Sequence, residues 1–201
     1  MPDYELLELM LFRSIPRRDV KPIAHALIAR FGDLGRVMAA TPSELCSVSG
    51  IGPSTAFDLK LIEAIGHRTA RAKIMLRPVL GDWQALVDYC HATMAHRRTE
   101  EFRLLFLDTK NVLIADEPQA RGTVDHVPVY PREVVKRALE LNAKALILVH
   151  NHPSGDPTPS AADIEMTRRI ANACAVLDLV LHDHLVIGTG RDMSFRASGY
   201  I

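Results

Sequence analysis

The stretch His150-Asn151-His152-Pro153-Ser154-Gly155-Asp156-Pro157-Thr158-Pro159-Ser160-Ala161-Ala162-Asp163 decides how the chain is read. It follows Ala145-Leu146-Ile147-Leu148-Val149, a short, branched, uncharged run that predicts a buried strand. Side chains two residues apart on a strand share a face, so His150 and His152 stand about 7 Å apart along the backbone and can converge on one ion. Pro153, Gly155, Pro157 and Pro159 break helix and sheet alike and predict a stiff loop. A helix then begins at Ser160 and carries Asp163 on its first turn. Two histidines and a carboxylate, with a fourth position open for water, form the ligand grammar of a catalytic zinc site.

Each piece also has a plainer explanation. An H-x-H at a strand end can be two polar terminal residues, and Ser160 with Asp163 makes a helix N-cap that needs no ion. Taken together with the rigid loop, the pieces favour the joint reading. A metal-activated water also needs a base. Glu100 and Glu101 both precede Phe102 at the start of a strand, and alternation lets only one of them face the site. The plain alternative for either is a solvated charge.

Composition bounds the rest. Lys and Arg number 24, as do Asp and Glu, so the chain has none of the basic excess of a strongly nucleic-acid-seeking protein. Residues 1–77 carry a surplus of three positive charges and residues 78–201 a matching deficit, too little to decide anything. Cys46, Cys90 and Cys174 are far apart with no C-x-x-C, which points to buried thiols in a reducing cytoplasm rather than a disulfide framework or a cysteine zinc knuckle. No signal peptide or membrane span is read, and a cytoplasmic location is expected.

Along the chain, helices are expected over 4–12, 21–30, a short one opened by Thr41-Pro42-Ser43-Glu44 as a capping box, and about 54–76. This makes 1–77 a small all-helical domain, with Arg77-Pro78 as the boundary. In 78–201 a helix capped by Asp82 precedes strands at 102–107, 111–115 and 122–127. The link Asp108-Thr109-Lys110-Asn111 reads as a hairpin turn. A helix from Pro131 to about Leu141, the strand 145–150, a helix 160–175, a strand 179–187 and a last short strand at Met193-Ser194-Phe195 complete a mixed, antiparallel-rich sheet covered by helices. His182-Asp183-His184 is a second H-x-H without a third ligand at suitable spacing, which suggests a core or hydrogen-bonding role for His184. His25, His67, His91, His96 and His126 read as surface or structural.

The spacing H-x-H, seven residues, Ser, two residues, Asp resembles the JAMM motif of MPN-type metalloproteases, isopeptidases that remove ubiquitin-like modifiers. The string from His150 to Pro157, with Pro159-Ser160 and Asp163, is similar to the bacterial RadC branch of that superfamily. Phe106-Leu107-Asp108, Arg121-Gly122-Thr123, Pro131-Arg132-Glu133 and Asp183-His184 support the resemblance. It covers nearly the whole chain, because RadC-like proteins also place a helical segment with a G-I-G turn ahead of this domain.

The resemblance implies an α/β (α+β) MPN/cytidine-deaminase-like mixed sheet flanked by helices. It also implies Zn²⁺ on His150, His152 and Asp163, with Ser160 steadying an oxyanion. Its E-x-F pattern selects Glu100 as the base. The implied activity is attack of a metal-activated water on a peptide or isopeptide carbonyl of a protein substrate, and the branch name implies DNA repair. Two alternatives stay open: a DNA-binding repair accessory with a structural metal, and a metal-dependent nuclease.

Gly50-Ile51-Gly52 resembles a helix-hairpin-helix turn, in which backbone N–H groups at a helix start approach a DNA phosphate without reading bases. Lys60, Arg68, Arg71 and Lys73 are candidates for further phosphate contacts. A tight turn between packed helices is the competing explanation. Any DNA contact made this way is expected to be weak, non-specific and salt-dependent.

Overall fold

The computed structural model describes residues 1–75, 77–121 and 129–201. The expected strand at 122–127, with Gly122, Thr123 and His126, lies outside them. Two compact units emerge, Met1–Arg68 and Thr69–Ile201.

The first unit is helical: α1 (Asp3–Ser14), α2 (Lys21–Phe31), α3 (Leu34–Ala39), α4 (Pro42–Cys46) and most of α5 (Pro53–Ile74). Thr41 caps α4 as expected: its hydroxyl accepts from the Glu44 N–H, and the Glu44 carboxylate returns to the Thr41 N–H. Sequence reasoning missed α3, a helix of six residues whose start is fixed by Asp33 accepting from the Arg36 N–H at 2.7 Å. Leu7, Leu11, Leu27, Val37, Leu45 and Leu59 fill this unit's core.

The second unit holds a 3₁₀ turn (Val79–Gly81), α6 (Trp83–Met94), β1 (Glu101–Leu107), β2 (Leu113–Arg121), α7 (Pro131–Glu140), β3 (Ala145–Asn151), α8 (Ala161–Val176), β4 (Val180–Ile187) and β5 (Asp192–Ser194). Asp82 caps α6 by accepting from the Ala85 N–H. The sheet order is β2-β1-β3-β4-β5, antiparallel except for the parallel pair β3–β4. Every residue of β3 is buried, which is why its sequence is apolar without alternation from Ala145 to Val149. On one face Leu105, Ile147, Val149 and Leu185 pack with residues of α6; on the other Phe102, Leu104, Leu146 and Leu148 pack with residues of α7 and α8. Truncating any of these fully buried leucines to alanine costs about 2–5 kcal/mol.

The hairpin after β1 turns at Asp108–Asn111 as expected, but β2 continues well past the expected end at 115. Pro118 lies inside the longer strand, paired with Arg103. It is tolerated because β2 is an edge strand and the ladder shifts register beside it, between Phe102 and Arg103. Among the described residues no helix is long and apolar enough to cross a membrane.

Candidate metal centre

β3 ends in the corner that the sequence singled out. His150 is its penultimate residue and fully buried, and His152 follows the strand, its N–H donating to the Ile187 carbonyl at the end of β4. The proline loop folds back onto β4. Gly155 N–H donates to the His152 carbonyl and Thr189 N–H to the Gly155 carbonyl. A Cβ on Gly188 would lie 2.3 Å from the Gly155 carbonyl oxygen, so only glycine fits there. The loop delivers Ser160 to the start of α8 as its N-cap. Ser160 Oγ accepts from the Asp163 N–H at 3.1 Å, and the Asp163 carboxylate accepts from the Ser160 N–H at 2.7 Å.

These elements bring three side chains together. His150 Nε2 and His152 Nε2 are 3.0 Å apart, and each lies 3.7–3.8 Å from an Asp163 carboxylate oxygen. An ion with tetrahedral bonds of 2.0–2.1 Å needs donors separated by about 3.3 Å, so the spacing fits a first-row metal.

Protonation fits as well. His152 Nδ1 is 2.7 Å from the Asp156 carbonyl oxygen, which has no hydrogen to give, so Nδ1 carries the proton and donates. Thr167 Oγ1 is 2.6 Å from the Asp163 carbonyl oxygen, so its hydroxyl donates there and can only accept from His184 Nδ1, also at 2.6 Å. His184 Nε2 is then an acceptor, and His150 Nδ1 donates to it at 2.7 Å. In the neutral rings both Nε2 atoms therefore present lone pairs to each other and to a carboxylate. A positive charge settles that arrangement, either a proton on His152 Nε2 or a metal ion held by all three groups.

The ionisation of the site follows. Burial pulls the His150 imidazole down to about 4, against the upward effect of Asp163. Burial, and then His150, hold His184 well below its ordinary value. His152 is shifted upward, first by Asp163, against burial, with the Asp156 carbonyl and Glu100 adding to it. Burial pushes the Asp163 carboxyl up, but His152, His150 and Ser160 together hold it well below the usual carboxylate range.

The two acids at the start of β1, Glu100 just before it and Glu101 its first residue, have different surroundings. Glu101 is buried and its carboxylate pairs with Arg103 at 2.6 Å, in a network that continues to Asp116 and Tyr89. Glu100 immediately precedes β1, and its charge acts on His152. Asn151 was not anticipated. Its side chain accepts from the Glu101 N–H at 2.9 Å and donates to the Thr99 carbonyl at 3.2 Å, pinning the backbone on both sides of Glu100. Ser160 Oγ–H donates to Asp163 Oδ2 at 2.6 Å. His182 lies away from the corner, bonded to the Asn111 side chain.

In the helical unit, Gly50 has φ +93° and Ile51 is buried in the core, so of the Gly50-Ile51-Gly52 turn only the glycines offer backbone. Lys60, a candidate for phosphate contact, donates to the carbonyls of Met38 and Ala40 at the end of α3 and pairs with Glu63. Arg18, which sequence reasoning passed over, has its guanidinium 3.7 Å from where a Cβ on Gly50 would stand.

Comparison with known proteins agrees with this anatomy. Residues 80–200 match the family described as RadC-like JAB domain, and residues 33–56 match the helix-hairpin-helix motif. A UPF0758 protein of Ruegeria pomeroyi is 66% identical over 201 residues, covering all of this chain and 90% of that relative. A UPF0758 protein of Rhodobacter capsulatus is 67% identical over 201 residues, again covering all of this chain and 94% of the relative.

Proposed function

The chain belongs to the RadC-like JAB domain family, and from that premise we propose that residues 78–201 form a zinc-dependent hydrolase acting on peptide or isopeptide bonds. The observation that carries the reading is the convergence of two imidazole Nε2 atoms and one carboxylate on one point, at a spacing that a first-row metal ion fits.

His150, His152 and Asp163 hold the ion. Zinc, when bound, polarises a water and the substrate carbonyl. Glu100 takes a proton from the attacking water and returns it to the amide nitrogen as the C–N bond breaks. Ser160 Oγ–H turns from Asp163 Oδ2 toward the carbonyl oxygen as negative charge grows there. Three protein ligands with a fourth position open suit amide attack by one ion better than the two-ion arrangement of phosphodiester cleavage.

A second reading rests on the helix-hairpin-helix match. It takes the protein as a DNA-binding repair accessory or nuclease whose metal is structural or acts on phosphodiesters. The same match fits weak DNA contact through Gly50 and Gly52 within residues 1–77 even for a hydrolase. The two are separated by assaying peptide, isopeptide and nucleic-acid substrates with and without chelator. The hydrolase reading expects chelator-sensitive amide cleavage, about one zinc per chain, and a 10²–10⁴-fold loss of rate in Glu100→Gln with zinc retained. Chelator-sensitive cleavage of DNA alone, or a Glu100→Gln variant as active as the parent, sinks it.

A further inference from the structure

Thr167 and His184 lie outside the H-x-H…Ser…Asp string, are fully buried, and sit on two different elements, α8 and β4. They nevertheless form an unbroken chain from the Asp163 carbonyl through Thr167 Oγ1, His184 Nδ1, His184 Nε2 and His150 Nδ1, with links of 2.6, 2.6 and 2.7 Å. The first link sets the direction of all the others, because two oxygens at 2.6 Å need a hydrogen between them and the carbonyl has none.

We propose that Thr167 is a positioning residue that, through His184, fixes His150 as its Nδ1–H tautomer and so keeps Nε2 bare for the metal. The proposal rests on the reading of His150 as a ligand. It deepens that reading, since the ligand's protonation is assigned to a threonine one helical turn beyond Asp163.

The alternative direction shows why the device matters. If the Thr167 hydroxyl turned to donate to His184 Nδ1, His184 would carry its proton on Nε2 and donate to His150 Nδ1. His150 would then hold its own proton on Nε2, in the position the metal needs. One hydroxyl rotation thus separates a ligand from a blocked site. An imidazole's tautomer is set by the hydrogen bond at its other nitrogen. The rings themselves cannot easily turn to escape: Phe195 stacks on His184 at 4.5 Å between centroids, and Phe102 lies nearly parallel to His150 at 6.0 Å. The circuit also closes on one residue. Asp163 supplies the carbonyl that orients Thr167 and the carboxylate that faces His150 Nε2.

The test uses the full chain, labelled with ¹⁵N-histidine, freed of metal and held at mildly alkaline pH. Long-range ¹H–¹⁵N spectra distinguish protonated from bare ring nitrogens. Wild type is expected to show Nδ1–H and bare Nε2 at both His150 and His184. In Thr167→Val, which keeps the shape and removes the hydroxyl, an Nε2–H population should appear at His150. Zinc affinity, measured by competition with a chromophoric chelator, should fall about 10–100-fold. Thr167→Ser should restore both readouts. An Nε2–H tautomer at His150 in wild type overturns the proposal even if the valine variant fails to fold. So does zinc affinity unchanged in a folded Thr167→Val. Wild-type Nδ1–H tautomers that are lost in Thr167→Val, in a protein that takes up no zinc, would support the relay and overturn the metal reading instead.

Discussion

In the corner between β3 and the first turn of α8, hydrogen bonds run in one direction and leave two ring nitrogens bare beside a carboxylate. Around the Gly50 turn the polar groups are used differently: the Lys60 ammonium is absorbed by two helix-end carbonyls and a glutamate, and Ile51 is core. Both regions carry a short recognisable motif. They differ in whether the neighbours leave a valence open. Chemistry is built where buried partners enforce an unsatisfied arrangement, and a turn whose neighbours satisfy one another offers only its backbone.

The largest expected effects break the corner itself. His152→Ala removes one of three donors, and zinc affinity should drop well beyond the ~10–100-fold that loss of a ligand's hydrogen-bond partner costs; metal analysis after dialysis would show it. Undiminished zinc in that variant would mean that the corner is not the ion site. The glycines sharpen the contrast. Gly188→Ala drives a Cβ to within 2.3 Å of backbone that is itself bonded to Thr189, so about 3 kcal/mol or more should be lost from the unit that holds Trp83. Fluorescence of this single tryptophan follows that unit's unfolding. Gly50→Ala meets a φ of +93° and the flexible end of Ile23 at 2.7 Å, and should cost the helical unit about 1–3 kcal/mol, with zinc affinity unchanged. Equal losses from the two variants would show that the proline loop adapts as readily as the helical turn.

The corner was legible because its spacing follows from local rules. Strand period aligned His150 with His152, and cap chemistry placed Asp163. What surrounds it was legible only in part: His184 was expected in a core or hydrogen-bonding role and is buried against His150, but the route that brings it there was not readable. β4 carries a bulge, its pairing passing from Leu146↔Leu181 to Ile147↔Asp183, and His182 is the residue left over. That extra residue lets His182 reach Asn111 while His184 turns to His150 and Thr167, although strict period 2 would have put both histidines on one face. Asp183, paired with His184 in the motif, anchors the end of the sheet by accepting from Ser194 Oγ and the Arg196 N–H. Thr167 lies four residues after Asp163, a spacing that helical geometry could have flagged, but a threonine on a helix carries no sign of the ring it meets. The fold class was readable from the alternation of elements, whereas the length of β2 depended on its edge position, which no local pattern encodes.

The smallest expected effects lie in the helical unit and decide which cations its turn can use. Lys60 is three-quarters buried by its side chain and holds the α3 carbonyls of Met38 and Ala40, so it acts as a helix C-terminal cap. Lys60→Gln should therefore cost about 1–2 kcal/mol of stability. In anisotropy titrations of the full chain with duplex DNA, its affinity should stay within about twofold of wild type and the salt slope should not change. Arg18 is exposed and stands beside Gly50. Arg18→Gln should leave stability within about 0.5 kcal/mol and lower the salt slope by about one, the signature of a lost phosphate contact. A slope that falls in Lys60→Gln and holds in Arg18→Gln would reverse the assignment and place the phosphate along α5. A wild-type chain with no salt-dependent binding would leave the turn as packing alone, and the contrast between the two regions would then be complete.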